Sequence, residues 1–193
     1  MEEKKRRLFV AINLSNDLKQ RVGIWQQKVW DFPVRWTSPK NLHITVLFIG
    51  WVIPRHVGVI EAAVRNIARM SAPPSIHFTS IDYGPPRDLP RMFWLYANSS
   101  RELSILKEAL GESLQRLEVS FELERRDLLP HITIGRMKEH EWRRKFGSKK
   151  PEIGIMPSFD FMPKTLDLME SHLRKSGAEY ETVNAYPFVM TAS

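Results

Sequence analysis

The sequence predicts an α+β fold in a single bilobal domain spanning residues 1–193, and three observations carry that expectation. Short β-prone runs alternate with stretches of helical periodicity along the whole chain. Two strand-like tetrapeptides of the same form, His43-Ile44-Thr45-Val46 and His131-Ile132-Thr133-Ile134, lie 88 residues apart in similar surroundings, as if a lobe had been duplicated. No linker or low-complexity tract separates the halves, and 193 residues that are 42% hydrophobic can bury one shared interior.

The elements follow in order. Arg7 to Leu14 is apolar and β-prone, hence a buried strand. Ser15 suits a helix N-cap, with Asp17 placed to favour the helix dipole and Leu18, Val22, Trp25 and Val29 on one face to about Trp30. Pro33, Pro39 and Asn41 limit the next segment to a short strand at Arg35-Trp36 and a turn. His43 to Ile49 is a strand that Gly50 is expected to close.

Pro54 can open a helix, because its missing N–H would be unpaired there, and Val57, Ile60, Ala63, Val64, Ile67 and Ala68 form its stripe. Strands are expected at 76–83 and 92–96, joined by the Gly- and Pro-rich loop 84–91. Ser100 caps a helix to about Leu117, followed by strands at 120–124 and 131–136. A short helix at Glu139–Phe146, a loop to Pro157, and a terminal hairpin turning at Ser176-Gly177 complete the chain.

Composition narrows the chemistry. There is no cysteine, which removes disulfides, thiolate nucleophiles and Cys-ligated metals. Met1 to Arg7 has no apolar core of a secretory signal, and Leu42 to Ile53 is too short to span a bilayer, so a cytoplasmic protein without membrane contact is expected. The net charge of +7 favours a polyanionic partner. Residues 1–96 hold 14 Lys/Arg against 7 Asp/Glu while the remainder hold 15 against 15, so the excess lies in the first half. Lys4 to Arg7, and Arg143 to Lys145 with Lys149-Lys150, are its local clusters.

Side chains alternate across a strand, so His43 and Thr45 share one face, and so do His131 and Thr133. The isoleucine and valine partners bury on the other face, and stable packing requires no imidazole beside them. Two imidazoles facing one cleft suit in-line opening of a cyclic phosphodiester, one taking a proton from water and the other protonating the departing ribose oxygen. The hydroxyls of Thr45 and Thr133 can donate to non-bridging phosphate oxygens, and Arg136 can add a guanidinium. Taken singly, either tetrapeptide is an ordinary strand; the repetition gives it weight.

This doublet resembles the 2H phosphoesterase superfamily, in particular its RNA 2′,3′-cyclic phosphodiesterase branch (LigT-like, or 2′-5′ RNA ligase-like). The likeness extends over roughly residues 6–189, through Arg7 to Ile12, Arg35-Trp36, Asn41-Leu42-His43, Phe48, Gly50, Pro130 to Arg136, and Ser171, Leu173, Gly177 and Tyr180. Met169 stands where the family usually has an aromatic residue, and Arg126 to Leu129 replaces its usual approach to the second motif. The resemblance implies two pseudosymmetric lobes, each an antiparallel sheet with helices outside, enclosing a central cleft. It implies metal-independent opening of RNA 2′,3′-cyclic phosphate ends to 2′-phosphates, with 2′-5′ ligation by some relatives. By analogy His43 is the general acid and His131 the general base.

Trp36, Phe48 and Trp94 are candidate base-stacking platforms, with Trp36 foremost because it adjoins the loop into His43; strand aromatics such as Trp94 and Phe48 more often pack in a core. His56 and His140 fall in polar helical contexts, and His77 and His172 in strands of undetermined facing. No metal or cofactor is expected, because HExxH, phosphate-loop and dinucleotide patterns are absent. The competing functions are a phosphodiesterase for small cyclic nucleotides or 2′-5′ oligoadenylates, and a non-catalytic RNA-binding module. Without a heptad or a broad apolar helix face, a monomer is expected.

Overall fold

The computed structural model describes residues 4–86, 91–119, 121, 128–153, 158–174 and 177–189. Its strands are β1 (Arg6–Asn13), β2 (Val34–Trp36), β3 (His43–Val52), β4 (Ile76–Gly84), β5 (Met92–Ala97), β6 (His131–Met137), β7 (Phe159–Phe161), β8 (Thr165–Arg174) and β9 (Gly177–Pro187). The helices are α1 (Asn16–Lys28), α2 (Pro54–Met70), α3 (Arg101–Arg116) and α4 (Glu139–Phe146), with a 3₁₀ turn at Pro39–Asn41. Ser15 and Ser100 cap α1 and α3 by accepting from the amides of Leu18 and Leu103. The expected strand at 120–124, the Arg126-Asp127 approach and Ser176 lie outside the described residues.

The strands form one antiparallel sheet in the order β7-β4-β5-β6-β3-β1-β8-β9, with β2 added to β6. It is two half-sheets meeting at β3 and β6, where a single residue pair, Ile44 opposite Ile132, joins them. Outward from that pair the halves correspond strand for strand: β3 with β6, β1 with β5, β8 with β4, and β9 with β7. The halves are not contiguous in sequence. β4 and β5 follow β3 but pair with β6, and β8 and β9 return to β1.

Helices cover one face. Leu8, Val10 and Ile12 of β1, Ile44 and Val46 of β3, and Ile132 and Ile134 of β6 bury there with Leu18, Val22, Ile60, Val64, Leu106 and Leu110 from the helices. The hydrophobic effect of this apolar layer fixes which face of each strand turns inward. The other face carries only a small buried cluster of Phe9, Ala11 and Met169, with Tyr180 against it. It is the face on which His43 and His131 lie.

Two expectations are corrected. Gly50 does not close β3: the strand runs on to Val52, with Gly50 at φ +88° beside a break in register between Leu8 and Phe9. Glycine tolerates that backbone, so the chain bulges and continues. The loop region before Thr165 contains the short edge strand β7, paired with β4 through Ile76 and Phe161. Three residues are too few for alternation to declare itself.

Candidate active site

β3 and β6 carry their histidines at matching places. His43 lies opposite Asn13 of β1 and Thr45 opposite Ala11, while His131 lies opposite Tyr96 of β5 and Thr133 opposite Trp94. Each tetrapeptide is followed by the same irregularity. The register of β3 shifts between Thr45 and Leu47, and that of β6 between Thr133 and Gly135, so Val46 and Ile134 are the extra residues of two equivalent bulges.

These bulges decide what else faces the cleft. In a regular strand Arg136, five residues after His131, would point to the opposite side. The extra residue at Ile134 brings Arg136 opposite Met92, two residues from Trp94, and so onto the histidine face. Gly135 turns instead to the helix side, where a Cβ would fall 2.6 Å from Val34 and 2.9 Å from the Trp36 ring. In β3 the same shift places Phe48 opposite Phe9. Phe48 and Arg136 therefore occupy equivalent positions in the two halves.

Both imidazoles are fixed in the same tautomer. Nδ1 of His43 donates to the carbonyl of Asn41, and Nδ1 of His131 to that of Leu129, each at 2.8 Å. A carbonyl can only accept, so each neutral ring carries its proton on Nδ1 and keeps the Nε2 lone pair free. His43 is boxed by Phe9 and Tyr180, with ring centroids 5.0 and 4.8 Å away. His131 stacks on Trp94 at 3.6 Å.

Burial among these rings disfavours a charged imidazole. It pulls His43 down from the ordinary 6.5 to about 4; the Asn41 bond partly opposes this, and His131 adds a small downward push. His131 is lowered as well, chiefly by burial, against its bond to Leu129. The His131 charge reaches His43, as their places on one face of adjoining strands allow.

Asn41 does a second job through its side chain. Its Nδ2 donates to the carbonyl of Ala178 at 3.3 Å and its Oδ1 accepts from the amide of Tyr180 at 3.4 Å, tying β9 to the turn before His43. This anchors the Tyr180 ring over the imidazole. Asp167, buried on the same face beside Ala11, accepts from Asn13 Nδ2 at 2.7 Å through Oδ2. The sequence singled out neither Asp167 nor the Trp94–His131 stack, since both depend on which strands become neighbours. Met169 takes the place of an aromatic residue by filling the cluster beside Phe9, its sulfur accepting from Asn13 and from Thr182.

The aromatic candidates fall differently from their sequence ranking. Trp36 turns to the helix side, stacked on Phe93 and edge-on to Trp25, so it offers no open face in the cleft. Its partner in the ladder is Gly135, which the Ile134 bulge directs to the interior. Phe48 is 44% exposed on the histidine face, and Trp94 backs His131. Thr45 and Thr133 are half-buried and Arg136 is exposed, its Nη1 touching the Met92 sulfur at 3.1 Å.

The remaining histidines lie elsewhere. His77 and His172 are half-buried on strands and paired with Asp160 at 2.7 Å and Glu181 at 3.1 Å, His140 is exposed on α4, and His56 is half-buried on α2. Among the described residues no three His, Asp or Glu side chains converge as metal ligands would. The groups in contact with the two histidines are the rings of Phe9, Tyr180 and Trp94 and the carbonyls of Asn41 and Leu129. No helix among the described residues is long and apolar enough to cross a membrane.

The two half-sheets each present a histidine and a threonine from a central strand on one face. Residues 12–94 match the family described as LigT like Phosphoesterase. Curated relatives called RNA 2′,3′-cyclic phosphodiesterase include a Thermotoga maritima protein, 32% identical over 68% of this chain and 70% of that one. The Methanocaldococcus jannaschii protein is 27% identical over 93% and 99%, respectively. A Geobacillus stearothermophilus relative is 27% identical over 96% of this chain, which spans only 58% of that protein. The chain belongs to the LigT-like phosphoesterase family. Its fold is shared with a Thermus thermophilus protein (TM-score 0.74, 24% identity, 94% and 97% covered). It is shared too with Escherichia coli LigT crystallised with 3′-AMP (TM-score 0.70, 20% identity, 96% and 99% covered).

Proposed function

We propose that this chain is an RNA 2′,3′-cyclic phosphodiesterase that opens terminal cyclic phosphates to 2′-phosphates without a metal, using His43 and His131 as an acid–base pair. The observation that carries the reading is the equivalence of the two histidines across the β3–β6 seam, each with Nδ1 tied to a carbonyl and Nε2 free. In-line displacement at phosphorus needs proton transfer at opposite ends, at the entering water and at the leaving oxygen. Two equivalent strands meeting at one residue pair supply one imidazole for each end.

The step balances as follows. His131 takes a proton from water as its oxygen bonds to phosphorus; the bond from phosphorus to the 3′-oxygen breaks; His43 gives that oxygen its proton. The products are a 2′-phosphate and a 3′-hydroxyl, and solvent exchange restores the starting protonation of the pair. Thr45 and Thr133 donate to the non-bridging oxygens as charge builds, Arg136 adds positive charge, and Phe48 offers a face to the terminal base. A 5′-hydroxyl in place of water gives a 2′-5′ linkage by the same proton transfers. RNA is the substrate and the site uses no cofactor; the protein acts as a monomer in the cytoplasm.

The placing of His43 as acid meets one opposing observation. Its imidazole, at about 4, is unprotonated at neutral pH, the state of a base. Its role as acid requires the phosphate monoanion to raise it on binding, as a negative charge beside a buried imidazole does. The free enzyme is active when the pair holds one proton. His43 takes up a proton only as pH falls to about 4, and burial likewise lowers His131 from its ordinary 6.5. We therefore expect kcat/KM to be highest at acid pH and to fall tenfold per unit as pH rises above 6.5. A plateau extending above pH 8 would contradict the lowered values.

The activity itself is tested with an oligoribonucleotide ending in a 2′,3′-cyclic phosphate, incubated with excess EDTA and followed by phosphorus NMR. Conversion to the 2′-monoester at an undiminished rate is expected. Formation of the 3′-monoester, or loss of turnover on chelation, rejects the proposal.

A further inference from the structure

Beyond the catalytic pair, the histidine face continues along β3 as a row of exposed aromatic and basic groups. Phe48 lies opposite Phe9, and Trp51 opposite Arg7, because the register break at Ile49 brings Trp51 to the same side. Phe9 and Arg7 are two residues apart on an unbroken stretch of β1, so they share a face and so do their partners. Phe48 is 44% exposed and Trp51 58% exposed. The guanidinium of Arg7, whose ladder partner is Trp51, sits 5.2 Å from the Phe48 ring centre and contacts Ser171 Oγ at 3.4 Å. Lys4 and Lys5 are exposed just ahead of β1.

An indole more than half exposed on the cleft side of a buried strand gains nothing from the core, and its neighbours make it unlike a protein-docking patch. Two rings on β3 stand beside an arginine on β1, successive residues on one face of a strand are roughly 7 Å apart, and the chain bears a net charge of +7. Ring faces take bases of any sequence while interleaved cations take the backbone phosphates between them.

We propose that Phe48, Arg7 and Trp51 form a track for the single-stranded RNA segment on the 5′ side of the cyclic phosphate, with Trp51 stacking a base beyond the terminal one. The proposal rests on the cyclic phosphodiesterase reading of the site and adds that oligoribonucleotides, rather than mononucleotides, are its substrates.

Trp51→Ala, Trp51→Phe and the unaltered protein are compared on adenosine 2′,3′-cyclic phosphate and on a tetraribonucleotide with the same cyclic end. The unaltered protein is expected to favour the tetranucleotide in kcat/KM by roughly tenfold or more, the size of one lost stacking contact. Trp51→Ala removes most of that advantage with the mononucleotide rate unchanged, and Trp51→Phe restores it. Equal loss on both substrates, or no change on either, overturns the track. Binding of a fluorescein-labelled tetraribonucleotide with a plain 2′,3′-diol end is measured in parallel and needs no turnover. Weaker binding in Trp51→Ala supports the track even if the cyclic substrates are not opened, an outcome that would remove the activity alone. Unchanged binding, or a change only in oligomeric state, overturns it.

Discussion

Replacing either His43 or His131 by alanine is expected to lower kcat by about two to four orders of magnitude while leaving the folded protein intact. Each imidazole is asked to move one proton in the transition state, and neither can substitute for the other, because each is held to its own strand by its Nδ1 bond. The double variant should lose little more than either single one, since the pair acts as a unit and one missing member already halts concerted transfer. His131 is half-buried against Trp94, so its removal should cost little stability; His43 touches Phe9 and Tyr180, and its loss leaves a small gap there. Circular dichroism melts on the same samples separate a catalytic loss from an unfolded one. A variant that retained more than about a tenth of the original kcat would remove that histidine from the mechanism.

The second large effect is expected at the threonines. Thr45→Val and Thr133→Val each keep a β-branched side chain of nearly the same shape on a strand, so the sheet should be undisturbed. Each removes the hydroxyl that the proposed mechanism assigns to the phosphate, and a donor that matters most as charge develops is worth roughly a hundredfold in kcat. The loss should fall on kcat, with KM nearly unchanged. A rise in KM alone would mean that the hydroxyls hold the ground-state phosphate and do not favour the transition state.

Much of this arrangement is legible in the chain before folding. The alternation within each His-x-Thr-x segment separates the histidine and threonine from the apolar pair, because strand geometry has a period of two. The helices at Asn16–Lys28, Pro54–Met70 and Arg101–Arg116 declare themselves through caps and stripes. What resists reading is whatever depends on pairing between distant strands. The bulges at Val46 and Ile134 are register effects of β1 and β5, and they reverse the facing of the residues that follow, in β3 as far as the second break at Ile49. Strict alternation would have sent Arg136 inward and gives no means of telling Trp36, which is buried against Phe93, from Phe48, which is not. The Tyr180 lid over His43 arises from a hairpin more than 130 residues away, held by the side chain of Asn41.

The central claim is that two equivalent histidines divide a proton transfer between entering water and leaving oxygen. A substrate with sulfur in place of the 3′-bridging oxygen tests it most directly, because a thiolate departs without a proton and so needs a base but no acid. Measured on this substrate, the His43→Ala variant should regain nearly the rate of the unaltered protein while His131→Ala remains slow. The opposite pattern would exchange the two roles and agree with the low value of His43. Equal rescue of both variants, or of neither, would contradict the division of labour itself.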